Sequence, residues 1–165
     1  MAEMLDLINE KNEVIGQAPR KTIEKEGLLY RASEIFVFID GKIVIEKRNK
    51  NKAKRPGYYS SVGETVQAGE TFKESAVRGV KEELGLDAEN LREIGETIIH
   101  DELYNDHHLM RVFVCEGKGE IKIQEEEVES AQLMDFKEVE ALIKSGKKVT
   151  LNLVEGFEMI KRDKE

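Results

Sequence analysis

The sequence predicts an α/β protein, a mixed β-sheet packed between helices, and three observations carry that prediction. Apolar, β-branched runs flank Asp40-Gly41, which marks a β-hairpin. Thr71 to Leu84 has helical periodicity with a start and a stop signal. Strand-like and helix-like segments then interleave toward the C-terminus, a pattern that favours a sheet covered by helices.

Each element has a local reason. The first 15 residues alternate loosely (Met4, Leu5, Leu7, Ile8, Val14, Ile15) and suit a short hairpin. Pro19 stands ahead of a short helical segment that Gly27 stops. Ile35–Ile39 and Lys42–Glu46 are the arms of the Asp40-Gly41 hairpin, Lys47–Gly57 reads as a polar loop, and Tyr58–Val62 leads onward as a strand. Thr71 and Glu74 have capping-box spacing, Gly85 closes the helix, and Phe72, Ala76, Val77, Val80 and Leu84 form one stripe. At 100° per residue Glu82 points away from that stripe and Glu83 lies at its edge. Strands are expected around Glu93–Leu103 and Leu109–Glu116, with a shorter one near Lys122. Asp135 with Glu138 caps a helix through Ile143, and a last amphipathic helix runs from about Leu151 to Arg162.

At 165 residues, with no internal repeat, low-complexity tract or linker, residues 1–165 are read as one domain. The composition, 39% apolar and 36% charged, is that of a soluble globular protein. The longest purely apolar run, Ile35–Ile39, is far short of a membrane span, which argues against a membrane partner. The N-terminus lacks the basic and apolar blocks of a secretory signal, so a cytoplasmic location is expected. The single cysteine, Cys115, lies in an apolar run and reads as a buried strand residue. A net charge of −8 argues against long nucleic acid as a partner. The charge is uneven, however: Lys42–Arg55 holds seven basic residues and one acid, and Glu120–Glu129 holds five glutamates. Such segments suit a phosphate together with its metal, or simply solvated faces of both signs.

Gly63 to Leu86, GETVQAGETFKESAVRGVKEELGL, is where chemistry concentrates. A Gly69-Glu70 turn precedes a helix whose far end carries Arg78, Glu82 and Glu83. Hydrolysis of a diphosphate builds charge on oxygens that are already anionic, and hard divalent ions held by a few carboxylates neutralise it. Glu82 and Glu83 supply two carboxylates, and Arg78 can pair with Glu82 across one turn. These residues point to a metal-dependent pyrophosphate-bond hydrolase.

The stretch resembles the Nudix box, G-x(5)-E-x(7)-R-E-U-x-E-E-x-G-U with U a bulky aliphatic residue. From Glu70 through Arg78, Val80, Glu82, Glu83 and Gly85 to Leu86 every position matches but one. The order of hairpin, basic loop, Pro56-Gly57 and box is similar to the branch near isopentenyl-diphosphate isomerase. The resemblance implies a Nudix-type α/β/α sandwich, Mg2+ (with Mn2+ as a substitute) as cofactor, and a small-molecule diphosphate as substrate; a homodimer is left open. It implies Glu82 and Glu83 as metal-binding and catalytic residues, with Arg78 beside them. Two departures stand out. The glutamate expected after the arginine is Gly79, and the glycine six residues before Glu70 is Glu64. Glu64 either replaces the lost carboxylate at the metal or points to solvent. Among Glu125, Glu126 and Glu127, Glu127 is the best positional match for a further ligand or base, against a solvated acidic loop. In the basic loop Arg48 and Lys52 are the matches for diphosphate contacts, with Lys54 and Arg55 as neighbours.

The three histidines read poorly as one metal site, because His107 and His108 would face opposite sides of a strand. The resemblance leaves three functions to weigh. The first is hydrolysis of a nucleoside diphosphate linked to another moiety. The second is a binding or regulatory module on the same fold, suggested by Gly79. The third, the isomerase, needs a cysteine and a histidine at the start of the box, where this chain has Gly63 and Thr65.

Overall fold

The computed structural model describes residues 3–164. β1 (Met4–Ile8) and β2 (Val14–Pro19) form an antiparallel hairpin of their own, followed by α1 (Arg20–Glu26). A seven-stranded mixed sheet then assembles from β3 (Leu29–Ile39), β4 (Lys42–Arg48), β5 (Tyr59–Ser60), β6 (Val62–Thr65), β7 (Asp87–Asp101), β8 (Asp106–Lys118) and β9 (Val128–Met134). α2 (Phe72–Leu84) lies between β6 and β7, and α3 (Phe136–Lys144) and α4 (Leu151–Lys164) close the described chain. β3 runs parallel to β8, from Leu29 opposite His107 to Phe38 opposite Glu116, and the other pairings are antiparallel.

Alternation along β3 sorts the core into two layers. Ile35 and Val37 face α2, where they meet Ala76, Val80 and Leu84. Phe36, one residue out of phase, faces the other way and packs with Val139, Leu153, Phe157 and Ile160 of α3 and α4. Helices therefore cover both faces of the sheet, as the interleaved sequence predicts. The β3–β4 turn is Asp40-Gly41 with φ of 50° and 77°, the left-handed pair that a two-residue hairpin requires.

β3 and β4 pair with each other only next to that turn, through Phe38–Ile43 and Ile39–Lys42. Beyond it they diverge. β6 takes the edge of β3, pairing Glu34 with Gly63, while β5 and β9 take β4, pairing Glu46 with Ser60 and Ala131. The fork between the two strands is the space in which the candidate site is built.

Several expectations differ from the structure, among them Val77, which is 44% exposed on α2 instead of joining its buried stripe. Lys122 is not in a strand: its N–H donates to Leu84 O (2.7 Å), and Gln124 N–H donates to Glu83 O (3.1 Å). The alternation of Ile121, Lys122 and Ile123 thus serves to satisfy carbonyls at the end of α2, which have no partner inside the helix. Val128–Met134, for which no strand was expected, pairs with β4 as β9. Its apolar and polar residues do not alternate regularly and so carry little periodic signal, and tertiary pairing decides its conformation.

Gly156 of α4 sits against the Phe36 ring, where an added Cβ would come within 2.6 Å of Cε2 and 2.9 Å of Cζ. Gly156→Ala gains about 1 kcal/mol of helix propensity but forces a fully buried ring to move, a cost of about 1–3 kcal/mol. Overpacking is expected to win, and a lower urea midpoint for the variant than for the parent checks it.

Candidate active site

The N-terminus of α2 is fixed by a reciprocal cap. Thr71 Oγ1 accepts from Glu74 N–H (3.0 Å), and a Glu74 carboxylate oxygen accepts from Thr71 N–H (3.0 Å). Gly69, at φ 79°, turns the chain from β6 into the helix. Arg78, two turns along, reaches back over that turn. Its Nε and Nη2 each donate to a Glu70 carboxylate oxygen at 2.9 Å, and Nη2 also donates to Thr65 O at 2.9 Å. The pair is bidentate and ties strand, turn and helix into one body. Burial works to raise the Glu70 carboxyl, but the Arg78 hydrogen bonds hold it below its ordinary value. The expected Arg78–Glu82 contact is present but longer, 3.5 Å, so Glu70 and not Glu82 is the principal partner.

Glu64 does not point to solvent. Its side chain lies over Gly79 and reaches Arg78 Nη1 at 3.3 Å. A Cβ built on Gly79 would come within 2.8 Å of Glu64 Cβ and 3.2 Å of its Cγ. Glu64 thus fills the volume that a side chain at position 79 would need. A carboxylate on the adjoining strand therefore stands over the helix position that lacks one. Burial pushes the Glu64 carboxyl up to about 7 against the pull of Arg78, with Glu82 adding to the rise.

Deeper in the fork lie two carboxylates that the sequence reading did not single out. Glu46 shares a face of β4 with Val44 and so points toward α2, where its carboxyl comes within hydrogen-bonding reach of Glu83. Glu46 is 2% exposed, and its Oε2 has no hydrogen-bond partner among the described residues. Glu34 is also 2% exposed. It accepts from Ser61 Oγ and from Asn152 Nδ2 (3.1 Å), the latter brought in by the first turn of α4. Burial raises the Glu34 carboxyl to about 7, against those hydrogen bonds and the charge of His108. Burial, then repulsion from Glu46, pushes Glu83 well above the carboxylate range, and Glu46 rises for the same first reason. Glu82 is different: its side chain is 50% exposed at the mouth. A glutamate inside each arm of an apolar hairpin was the available signal for Glu34 and Glu46, since lone acids in core strands are seldom idle.

These side chains line a cavity of about 670 Å3. Of the three consecutive glutamates, Glu127 lines it and Glu125 and Glu126 do not. Lys52 forms an ion pair with Glu127, so the basic and acidic segments meet at the rim. Arg48 donates through Nε to Arg55 O (3.1 Å) and through Nη2 to Lys54 O (2.9 Å), closing the loop on itself while still lining the cavity. Arg55 is held by Asp101 (2.9 Å) and Asp106 (2.6 Å) from the β7–β8 hairpin. Burial alone would raise the Asp106 carboxyl, but hydrogen bonds from His108, Arg55 and Tyr30 keep it well below the usual range. His108 is buried between Asp106 (3.3 Å) and Asn152 (3.0 Å), whereas His107 is partly exposed on the opposite side of β8, as the alternation predicts.

An oxygen-only donor set, crowded and with one buried oxygen unpaired, fits a hard divalent cation. Glu64, Glu82, Glu83 and Glu127, with Glu46 beside Glu83, are the carboxylates that line the cavity and could hold one. Without a cation, burial and mutual repulsion favour the protonated forms of Glu46, Glu64 and Glu83.

A domain model described as NUDIX matches residues 29–154. Nudix hydrolase YfcD of Escherichia coli K12 is 35% identical over 141 residues, which span 84% of this chain and 77% of that protein. Nudix hydrolase PA4841 of Pseudomonas aeruginosa is 33% identical over 135 residues, spanning 81% of this chain and 79% of that one. Among solved structures, DR0079 of Deinococcus radiodurans matches with a TM-score of 0.78 at 24% identity, covering 94% of this chain and 98% of that one. A MutT NUDIX hydrolase from Burkholderia pseudomallei matches with a TM-score of 0.69 at 18% identity, covering 80% and 98%. The structural likenesses establish the fold, and the domain match with relatives above 30% identity establishes more: the chain belongs to the Nudix family of hydrolases.

Proposed function

We propose that the chain is a divalent-metal-dependent hydrolase that cleaves the pyrophosphate bond of a nucleoside diphosphate linked to another moiety, with Mg2+ as the working ion and Mn2+ as a substitute. The observation that carries this reading is the convergence of Glu64, Glu82, Glu83 and Glu127 on one cavity beneath a basic loop. The cation, when bound, neutralises charge building on the phosphate oxygens and lowers the pKa of water. The chain's own residues do the rest. Glu82, Glu83 and Glu64 hold the ion, and Glu127 either joins them or accepts a proton from the attacking water. Water adds to one phosphorus as the bridging P–O bond breaks, leaving two phosphorylated fragments. Arg78 acts as a positioning residue, because its bidentate hold on Glu70 fixes the turn from which α2 departs. Arg48 and Lys52 meet the diphosphate at the rim, Lys52 exchanging Glu127 for a phosphate oxygen.

The placement of Glu64 over Gly79 weakens the main support for a non-catalytic module, because the carboxylate count is preserved. The isomerase reading gains nothing from Cys115. That thiol is buried in the core layer against α2, and burial pushes it up to about 12.

Three outcomes are expected. In a panel of nucleoside diphosphate derivatives, turnover requires Mg2+ and falls at least about 100-fold in Glu83→Gln; full activity in that variant would sink the hydrolase assignment to this site. Glu64→Gly weakens Mn2+ binding, read by electron paramagnetic resonance titration. Gly79→Glu alone loses about 1–3 kcal/mol of stability by crowding Glu64, while the double variant recovers both properties. Metal affinity unchanged in Glu64→Gly would remove Glu64 from the site.

The third outcome concerns pH. The Glu34 and Glu64 carboxyls each rise in the fold from 4.5 to about 7, so the folded state holds these protons more tightly than the unfolded chain. Their contribution is fully present below pH 4.5 and is lost as pH rises through about 7. The loss is on the order of 3 kcal/mol per group. Urea unfolding of the metal-free protein at a series of pH values should show this decline, and added Mg2+ should offset it above neutrality.

A further inference from the structure

The end of the β7–β8 hairpin carries a second cluster of metal-binding side chains, none of which lines the cavity. His100 and His107 are direct cross-strand partners, and their Nδ1 atoms lie 2.8 Å apart. Glu102, in the intervening turn, brings a carboxylate oxygen into the same group, with all three ligand atoms within 4.8 Å of one another. The far side of the His107 ring is already committed, since Nε2 is 3.1 Å from Asn105 Oδ1. A carbonyl oxygen only accepts, so Nε2 carries the hydrogen and Nδ1 of the neutral ring turns its lone pair toward His100. Fixing one ring nitrogen through an outer hydrogen bond is how proteins orient a ligating histidine.

We propose that His100, Glu102 and His107 form a second cation site that takes a borderline transition ion of the Zn2+ type in preference to Mg2+. Two imidazole nitrogens and one carboxylate oxygen are a three-residue zinc set with a fourth position left for water. Bonds of about 2.0–2.1 Å in a tetrahedron separate ligand atoms by about 3.3 Å. The two nitrogens need open by only about half an ångström, which exposed side chains on a hairpin end can supply. Mg2+, which prefers an oxygen shell, has no advantage here.

The position of the site gives it a consequence. Asp101 follows His100 and Asp106 precedes His107, and these two aspartates hold the Arg55 guanidinium. A cation bridging the strands next to them stiffens the anchor of the loop that carries Arg48 and Lys52.

Calorimetric titration with Zn2+ in a large excess of Mg2+ tests the proposal, because Mg2+ then occupies the carboxylate cavity. One equivalent of Zn2+ should bind, and the binding should vanish in both His100→Ala and His107→Ala. Asn105→Gly, which removes the outer acceptor yet suits the φ of 49° at that position, should weaken it about 10–100-fold. Zn2+ should also raise the melting temperature of the parent but not of either histidine variant, while Mg2+-dependent turnover stays unchanged in both. Circular dichroism confirms folding, and His100→Gln provides a milder second variant. The absence of Mg2+-resistant Zn2+ binding would overturn the site. So would an equivalent retained with parental affinity in the histidine variants.

Discussion

Repulsion among buried and half-buried carboxylates is the constraint on which the rest of this structure turns. Glu34, Glu46, Glu64 and Glu83 enter one space from three strands and a helix, and each raises the cost of ionising its neighbours. Charges this close are tolerable in a low-dielectric pocket only if they are protonated, paired or joined by a cation. The fold supplies some relief: Asn152 and Ser61 donate to Glu34, and Arg78 sits beside Glu64. It supplies none to Glu46 Oε2 among the described residues. The proposed cation would relieve that repulsion, so part of its binding free energy would come from strain the site carries without it.

The fork between β3 and β4 makes this crowding possible. Had the two strands stayed paired along their length, Glu34 and Glu46 would stand in a continuous ladder with no cavity between them. Divergence after the Asp40-Gly41 turn opens the space, and β5, β6 and β9 satisfy the backbone groups that the fork would otherwise leave bare. α2 then lies across the opening, its start set by a capping box and its register by the Arg78–Glu70 pair. Within that frame the Glu64 side chain on β6 occupies the space that a side chain at Gly79 of the helix would need.

Much of the fold was legible because it is encoded locally. The hairpin at Asp40-Gly41, the capped and glycine-terminated α2, and the Asp135–Glu138 cap of α3 rest on residues a few positions apart. Elements whose conformation depends on distant partners were not legible. β9 forms because β4 offers it an edge, and Lys122 leaves strand geometry because α2 ends with free carbonyls above it. β7 begins at Asp87, six residues before the expected start, since β8 is there to pair with it.

The sequence by itself determined the fold class, the helix that carries Arg78, Glu82 and Glu83, and membership of a hydrolase family, because periodicity, capping and box spacing are all short-range properties. Only the tertiary structure decided which groups share a site. Glu34 and Glu46 lie 12 positions apart on separate strands, and Asn152 arrives from α4, so no spacing along the chain announces their meeting. It also decided that Glu64 turns inward, that Glu127 rather than Glu125 or Glu126 reaches the cavity, and that Lys52 is paired. Proximity across a sheet is set by strand register and by where strands part, and both are properties of the packed whole.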